Sequence, residues 1–88
     1  MDINQAFGNA LREIRLGKGL SQEKMASAAS RVYISSLERG LKSPTLVTVE
    51  MIAGELGVHP LTLLTLTYEY LESADLKVVA KELKNLHK

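Results

Sequence analysis

The stretch Leu20-Ser21-Gln22-Glu23-Lys24-Met25-Ala26-Ser27-Ala28-Ala29-Ser30-Arg31-Val32-Tyr33-Ile34-Ser35-Ser36-Leu37-Glu38-Arg39-Gly40 decides the fold. It holds two helix starts close together, at Ser21 and Ser30, residues whose side-chain oxygen can accept from a free backbone N–H of a first helical turn. After Ser21, Lys24 occupies the position where a capping-box glutamate would sit, and Met25 and Ala26 fall at inward spacing. From Ser30 the chain carries Ile34 and Leu37 inward and stops at Gly40, a residue suited to the left-handed backbone that ends helices. Two helices joined by so short an interval must cross steeply, leaving the outer side of the second one free.

The flanking segments are helical as well. Phe7, Ala10, Leu11 and Ile14 predict a helix from about Asn4 to Leu16, ended by Gly17 and Gly19. Ser43-Pro44-Thr45 is a breaker followed by a cap, and the helix after it, over residues 45–56, is expected to bury Leu46, Val49, Ile52, Ala53 and Leu56 before Gly57 closes it. His59-Pro60 restarts the chain with proline at the first helical position, where its missing N–H is harmless. That helix runs to about Leu71, and a last one spans Ser73 to about Leu86. No alternation of apolar and polar residues persists long enough for a strand. The fold class is therefore all-α, a compact bundle of about five to six short helices. Residues 1–72 form its main body, and residues 73–88 add a C-terminal helix to the same unit and a possible dimerisation element.

Eighty-eight residues with 45% apolar content suit one domain with a modest core. With no Trp and one Phe, that core must be mainly aliphatic. The absence of cysteine excludes disulfides and thiolate zinc sites and fits a reducing, cytoplasmic setting. No run approaches the roughly 20 apolar residues of a membrane span, and no basic segment leads into an apolar one at the N-terminus, so neither membrane insertion nor a signal peptide is expected. Net charge is only +1, but it is unevenly placed: residues 1–44 carry seven Lys or Arg against four acids, and residues 45–88 carry four against six. A basic half beside an acidic half suits a molecule with one face on phosphates. His59 and His87 are far apart and lack carboxylates at ligand spacing. With no glycine-rich phosphate loop, nucleophile elbow or metal signature, no enzyme activity, cofactor or metal is expected. His59 reads instead as a helix-start residue.

Leu20-Ser21-Gln22-Glu23, Tyr33-Ile34-Ser35, Leu37-Glu38-Arg39-Gly40, Ser43-Pro44-Thr45-Leu46 and Leu56-Gly57-Val58 stand in the order, and near the spacing, of one family. Over about Phe7 to Leu64 the chain resembles the Cro/repressor (xenobiotic-response-element) family of helix-turn-helix regulators. The resemblance implies a lambda-repressor-like domain that binds double-stranded DNA, with residues of about 30–39 as a recognition helix in the major groove. Arg31, Val32, Ser35 and Ser36 would then face bases. Arg31 leads, because a guanidinium can bond guanine O6 and N7 together. Val32 has two readings, contact with a thymine methyl or partial burial against the preceding helix. Ser21, Gln22, Ser30, Tyr33, Arg39 and Lys42 would meet phosphates, the first three at helix starts that attract anions; Lys42, like Lys24, reads equally as a solvated charge. The resemblance further implies a structural ion pair between Arg15 and Glu38. One departure stands out: only Ser27, Ala28 and Ala29 separate Ala26 from Ser30, about two residues fewer than the family usually has, so the second helix must end early or the turn must tighten.

Residues 60–71 are apolar on two faces, Leu61, Leu64, Tyr68 and Leu71 on one, Leu63, Leu66 and Tyr70 on the other. A helix of that kind needs two things to pack against. The domain core supplies one; the final helix, with Leu76, Val79, Ala80, Leu83 and Leu86, supplies the other within the chain or across a homodimer. Leu63, Leu66, Tyr70, Leu76, Val79 and Leu83 are the dimer-interface candidates. The expected function is a transcriptional regulator, a repressor binding an inverted-repeat operator as a homodimer. The alternative is a protein-interaction module, such as an antitoxin or other partner-sequestering helix-turn-helix protein, for which Leu41, Val47 and Met51, predicted to be exposed, would form the surface. Phage repressors, restriction–modification controllers and antitoxins are all family proteins of this size, and the sequence does not choose among them.

Overall fold

Asp2 opens the first helix with a reciprocal cap: its carboxylate accepts from the Gln5 N–H at 2.8 Å, and the Gln5 side chain accepts from the Asp2 N–H at 3.0 Å. The computed structural model describes residues 1–25, 30–73 and 75–87. Five α-helices and one 3-10 turn make up the described residues, with no strand among them: α1 (Ile3–Gly17), the turn Glu23–Met25, α2 (Arg31–Glu38), α3 (Leu46–Leu56), α4 (Pro60–Glu72) and α5 (Leu76–Leu86). Gly17 lies inside α1, and the left-handed turn belongs to Gly19, at φ +70°. Among the described residues the expected second helix contributes the 3-10 turn Glu23–Met25; Ala26 and the residues expected to form the abbreviated turn after it lie outside the described residues.

Each later helix starts on a side chain that satisfies a free N–H. Ser30 Oγ accepts from Tyr33 N at 3.1 Å, Thr45 Oγ1 from Thr48 N at 3.1 Å, and His59 Nδ1 from Leu61 N at 3.0 Å. The start expected at Ser73 is corrected. Ser73 ends α4 in the left-handed conformation at φ 55°, and α5 begins at Asp75, whose carboxylate accepts from Lys77 N at 2.9 Å.

The core gathers Phe7, Ala10 and Leu11 of α1, Met25 of the turn, Ile34 and Leu37 of α2, Val49, Ile52, Ala53 and Leu56 of α3, and Leu63 of α4. Two sequence expectations fail here. Leu46, expected inside, is 81% exposed: its spacing puts it on the stripe of Val49, Ala53 and Leu56, but it stands at the first position of α3, where the buried stripe begins only a turn later. Leu63, expected at a dimer interface, is completely buried in the domain core. Its partner on that face is Thr67, also buried, whose hydroxyl donates to the Leu63 carbonyl at 2.8 Å. Satisfied this way, a threonine behaves as a core residue, and a count of apolar positions alone misses the inward face of α4.

Helix α1 lies against both α2 and α4. Its approach to α2 is unusually close: a Cβ on Gly8 would fall 2.4 Å from the Leu37 carbonyl oxygen and 2.7 Å from that of Glu38. Gly40, at φ +74°, is likewise pressed on α1, with a Cβ there only 2.8 Å from Gln5 Cγ. The C-terminal end of α2 is thus held against α1 by backbone contact. By contrast α5 buries none of its residues, and no single helix among the described residues is long and apolar enough to cross a membrane. Gly8→Ala is expected to lower stability by about 1–3 kcal/mol, since backbone carbonyls cannot rotate away as side chains do; urea denaturation followed by circular dichroism measures it.

Candidate nucleic-acid interface

Arg15 reaches from the last turn of α1 to the last residue of α2. Its Nε donates to Glu38 Oε2 at 2.6 Å and its Nη2 to Glu38 Oε1 at 2.9 Å, while Nη1 donates to the Leu20 carbonyl at 2.8 Å. Gln22 completes the set, its amide donating to Glu38 Oε1 at 3.1 Å. The two charged side chains are only 9% and 5% exposed. A buried pair is tolerable when its lone pairs and protons are used, and among the described residues no buried side-chain nitrogen or oxygen lacks a partner. The hydrogen bonding to Glu38 raises the Arg15 pKa above its ordinary value, against a lowering by burial. One carboxylate thereby ties α1, the 20–25 segment and α2 together.

With its inner side occupied by Ile34, Leu37 and Glu38, α2 presents the opposite side outward. Arg31 at its first position and Arg39 at its end are exposed, as is Lys42 beyond it. Val32 is 76% exposed, which removes the reading in which it packs against the preceding helix. Ser35 and Ser36 are half-buried, and Tyr33 is half-buried against the core. Ser21 and Ser30 are exposed and already accept backbone hydrogen bonds, from Lys24 N at 3.3 Å and Tyr33 N at 3.1 Å. The geometry thus gathers Arg31, Val32, Arg39 and Lys42 on the free side of one rigid helix and its following loop, and draws Gln22 into the Arg15–Glu38 network.

Two partners are absent from the sequence reading. Glu23, in the 3-10 turn, lies beside Arg31, with Nε and Oε1 3.2 Å apart. Opposite charges flanking a predicted tight turn are a signal of that contact. Tyr70, a dimer-interface candidate, donates its hydroxyl to Glu13 Oε1 at 2.6 Å, joining α4 to α1 and raising the phenol pKa. A contact so distant in sequence has no local signature. The other interface candidates divide as follows: Leu66 is half-buried against the core, and Leu76, Val79 and Leu83 are exposed on α5.

A helix-turn-helix family model matches residues 11–63. The control protein C.BamHI of Bacillus amyloliquefaciens is 44% identical over 69 residues, covering 75% of this chain and 85% of that protein. The uncharacterized HTH-type transcriptional regulator y4dJ of Sinorhizobium fredii is 41% identical over 71 residues, covering 78% of this chain and 92% of that protein. Among solved structures, the restriction-modification controller protein C.AhdI from Aeromonas hydrophila is similar at a TM-score of 0.66 and 40% identity, over 68% of this chain and 94% of that one. The matched stretch 11–63 holds Arg15, the turn, α2 and α3; α5 lies beyond it.

Arg15→Ala, which leaves the Glu38 carboxylate buried without its main partner, is expected to destabilise the fold by about 3–5 kcal/mol. Glu38→Gln, which keeps an acceptor and the shape, should fall between it and the parent chain. Chemical denaturation of the three proteins checks the order.

Proposed function

This chain belongs to the helix-turn-helix transcription regulators of the Cro/repressor type and is a DNA-binding regulator; from that premise we propose that it represses transcription as a homodimer on an inverted-repeat operator. The observation that carries this reading is the state of α2: clamped at its inner side by the core and by Glu38, capped by Ser30, and bare on the side that holds Arg31 and Val32. In the proposed complex the first turns of α2 enter the major groove. Arg31 donates to a guanine edge, Val32 meets a thymine methyl, and the short Ser35 and Ser36 side chains permit close approach. Ser21, Ser30, Tyr33, Arg39 and Lys42 meet phosphates, which set register and make affinity fall with salt. The hydrogen bond from Gln22 to Glu38 favours a positioning role for Gln22 over a phosphate contact.

The second copy is needed on physical grounds. An isolated 11-residue helix is marginal in water, yet α5 (Leu76–Leu86) leaves Leu76, Val79, Leu83 and Leu86 exposed. Joined by Leu61, Tyr70 and the uncovered part of Leu66 on α4, these side chains form the proposed dimer surface, with Leu63 excluded because it is in the core. Two-fold pairing would set the recognition helices one DNA turn apart, about 34–36 Å. Likeness to C.BamHI and C.AhdI supports a controller role beside restriction–modification genes, carried out in the cytoplasm. A protein-sequestering role finds its support in the exposed Leu41, Val47 and Met51.

Selection from random duplex pools distinguishes the two. A regulator enriches an inverted repeat and shows a steep salt dependence, whereas failure to enrich any sequence favours the sequestering role. With the enriched duplex, Arg31→Ala should lose about 1–3 kcal/mol and relax preference at one position, while Lys42→Ala should weaken all sequences alike and lower the salt slope by about one. In sedimentation, paired Val79→Glu and Leu83→Glu substitutions should convert dimers to monomers while Arg15–Glu38 and the rest of the domain keep their melting transition.

A further inference from the structure

Arg31 is not alone on the free side of α2. Its Nε lies 3.2 Å from Glu23 Oε1, and both side chains are well exposed, at 63% and 67%. Glu23 meets the Nε end of the guanidinium, and among the described residues no hydrogen bond is donated by its two terminal nitrogens. The turn that carries this exposed carboxylate is anchored on both sides of Glu23. Met25, two residues on, is completely buried; Gln22, one residue before, is bonded to Glu38; and Ser21 Oγ accepts from Lys24 N at 3.3 Å. Exposed ion pairs add little to stability, so this one has little weight in holding the fold.

We propose that Glu23 is a positioning residue for Arg31, turning a general phosphate-binding cation into a base reader. The inference rests on the DNA-binding mode proposed above. An unaccompanied arginine at the start of a recognition helix has two kinds of target, the phosphates present on every sequence and the guanine edge present at few. Attraction to phosphates is non-specific and salt-dependent. A carboxylate at the Nε end offsets that attraction and restrains the guanidinium plane, while the two terminal nitrogens remain available for a fork on guanine O6 and N7. The carboxylate is itself repelled by phosphates, which penalises registers in which Arg31 is not seated on a base. Glu23 thus weakens binding to all DNA and weakens it most where the sequence is wrong.

The experiment uses the full chain and two duplexes of equal length, the sequence enriched by selection and a scrambled one, titrated over a range of salt. The proteins are the parent, Glu23→Ala, Glu23→Gln, Arg31→Ala and the Glu23→Ala/Arg31→Ala pair, with melting curves to establish that each is folded. Glu23→Ala is expected to bind the scrambled duplex roughly fivefold tighter, with a steeper salt slope, and to gain less on the selected one, so that discrimination falls about fivefold. Glu23→Gln should follow Glu23→Ala, because charge is what acts. Without Arg31 the loss of discrimination on removing Glu23 should vanish. Equal changes on both duplexes, or an effect of Glu23 on discrimination that persists in the absence of Arg31, would overturn the proposal while leaving the DNA-binding mode intact. If the parent chain enriches no sequence, the binding mode itself fails and the proposal falls with it.

Discussion

Glu38 closes α2 with a carboxylate that nothing local could satisfy. Its partners come from α1 (Arg15), itself bonded to the Leu20 carbonyl, and from Gln22 beside the 3-10 turn. Removing this carboxylate from water is costly, and the cost is offset only when the fork of the guanidinium and the glutamine amide arrive together. The pair therefore acts less as a source of net stability than as a condition on geometry: α1, the turn and α2 must hold one mutual arrangement. Gly8 and Gly40 make that arrangement sterically possible by letting α1 and the end of α2 touch through backbone atoms.

The two ion pairs of the motif show how environment separates roles. Arg15–Glu38 is buried, two-pronged and hydrogen-bonded on every side; Arg31–Glu23 is exposed and meets through one nitrogen. Both join the turn region or α1 to α2, one at each end of that helix. The buried pair fixes where the helix lies, and the exposed one stands beside Arg31, the side chain proposed to read a base. Under that proposal an arginine restrained on a fixed helix would have less freedom to lose on binding.

Local chemistry was legible residue by residue. Ser30, Thr45 and Pro60 mark helix starts and Gly57 an end, because caps depend only on neighbours within a turn. The Asp2–Gln5 cap was equally local and readable, although the apolar stripe drew the helix start to Asn4. At the last helix two cap-capable residues, Ser73 and Asp75, competed, and the carboxylate took the position once Ser73 had adopted the left-handed turn. The side chains that α2 offers were legible in kind. Which of them stand free was not, since the exposure of Val32 and the capture of Gln22 by Glu38 follow from packing across the motif.

By itself the sequence determined the all-helical class, the order of the elements and the helix-turn-helix, because caps, breakers and 3.6-residue spacing act over a few neighbours. Only the tertiary structure decided which faces were used. An amphipathic or doubly apolar helix has more than one plausible inward side, and long-range partners choose between them. That choice sent Leu63 and Thr67 of α4 into the core and left Leu46 outside. It also placed Glu23 beside Arg31 and closed Glu38 with Arg15 and Gln22. Each of these contacts joins residues brought together by how the helices cross, a quantity no local window of sequence contains.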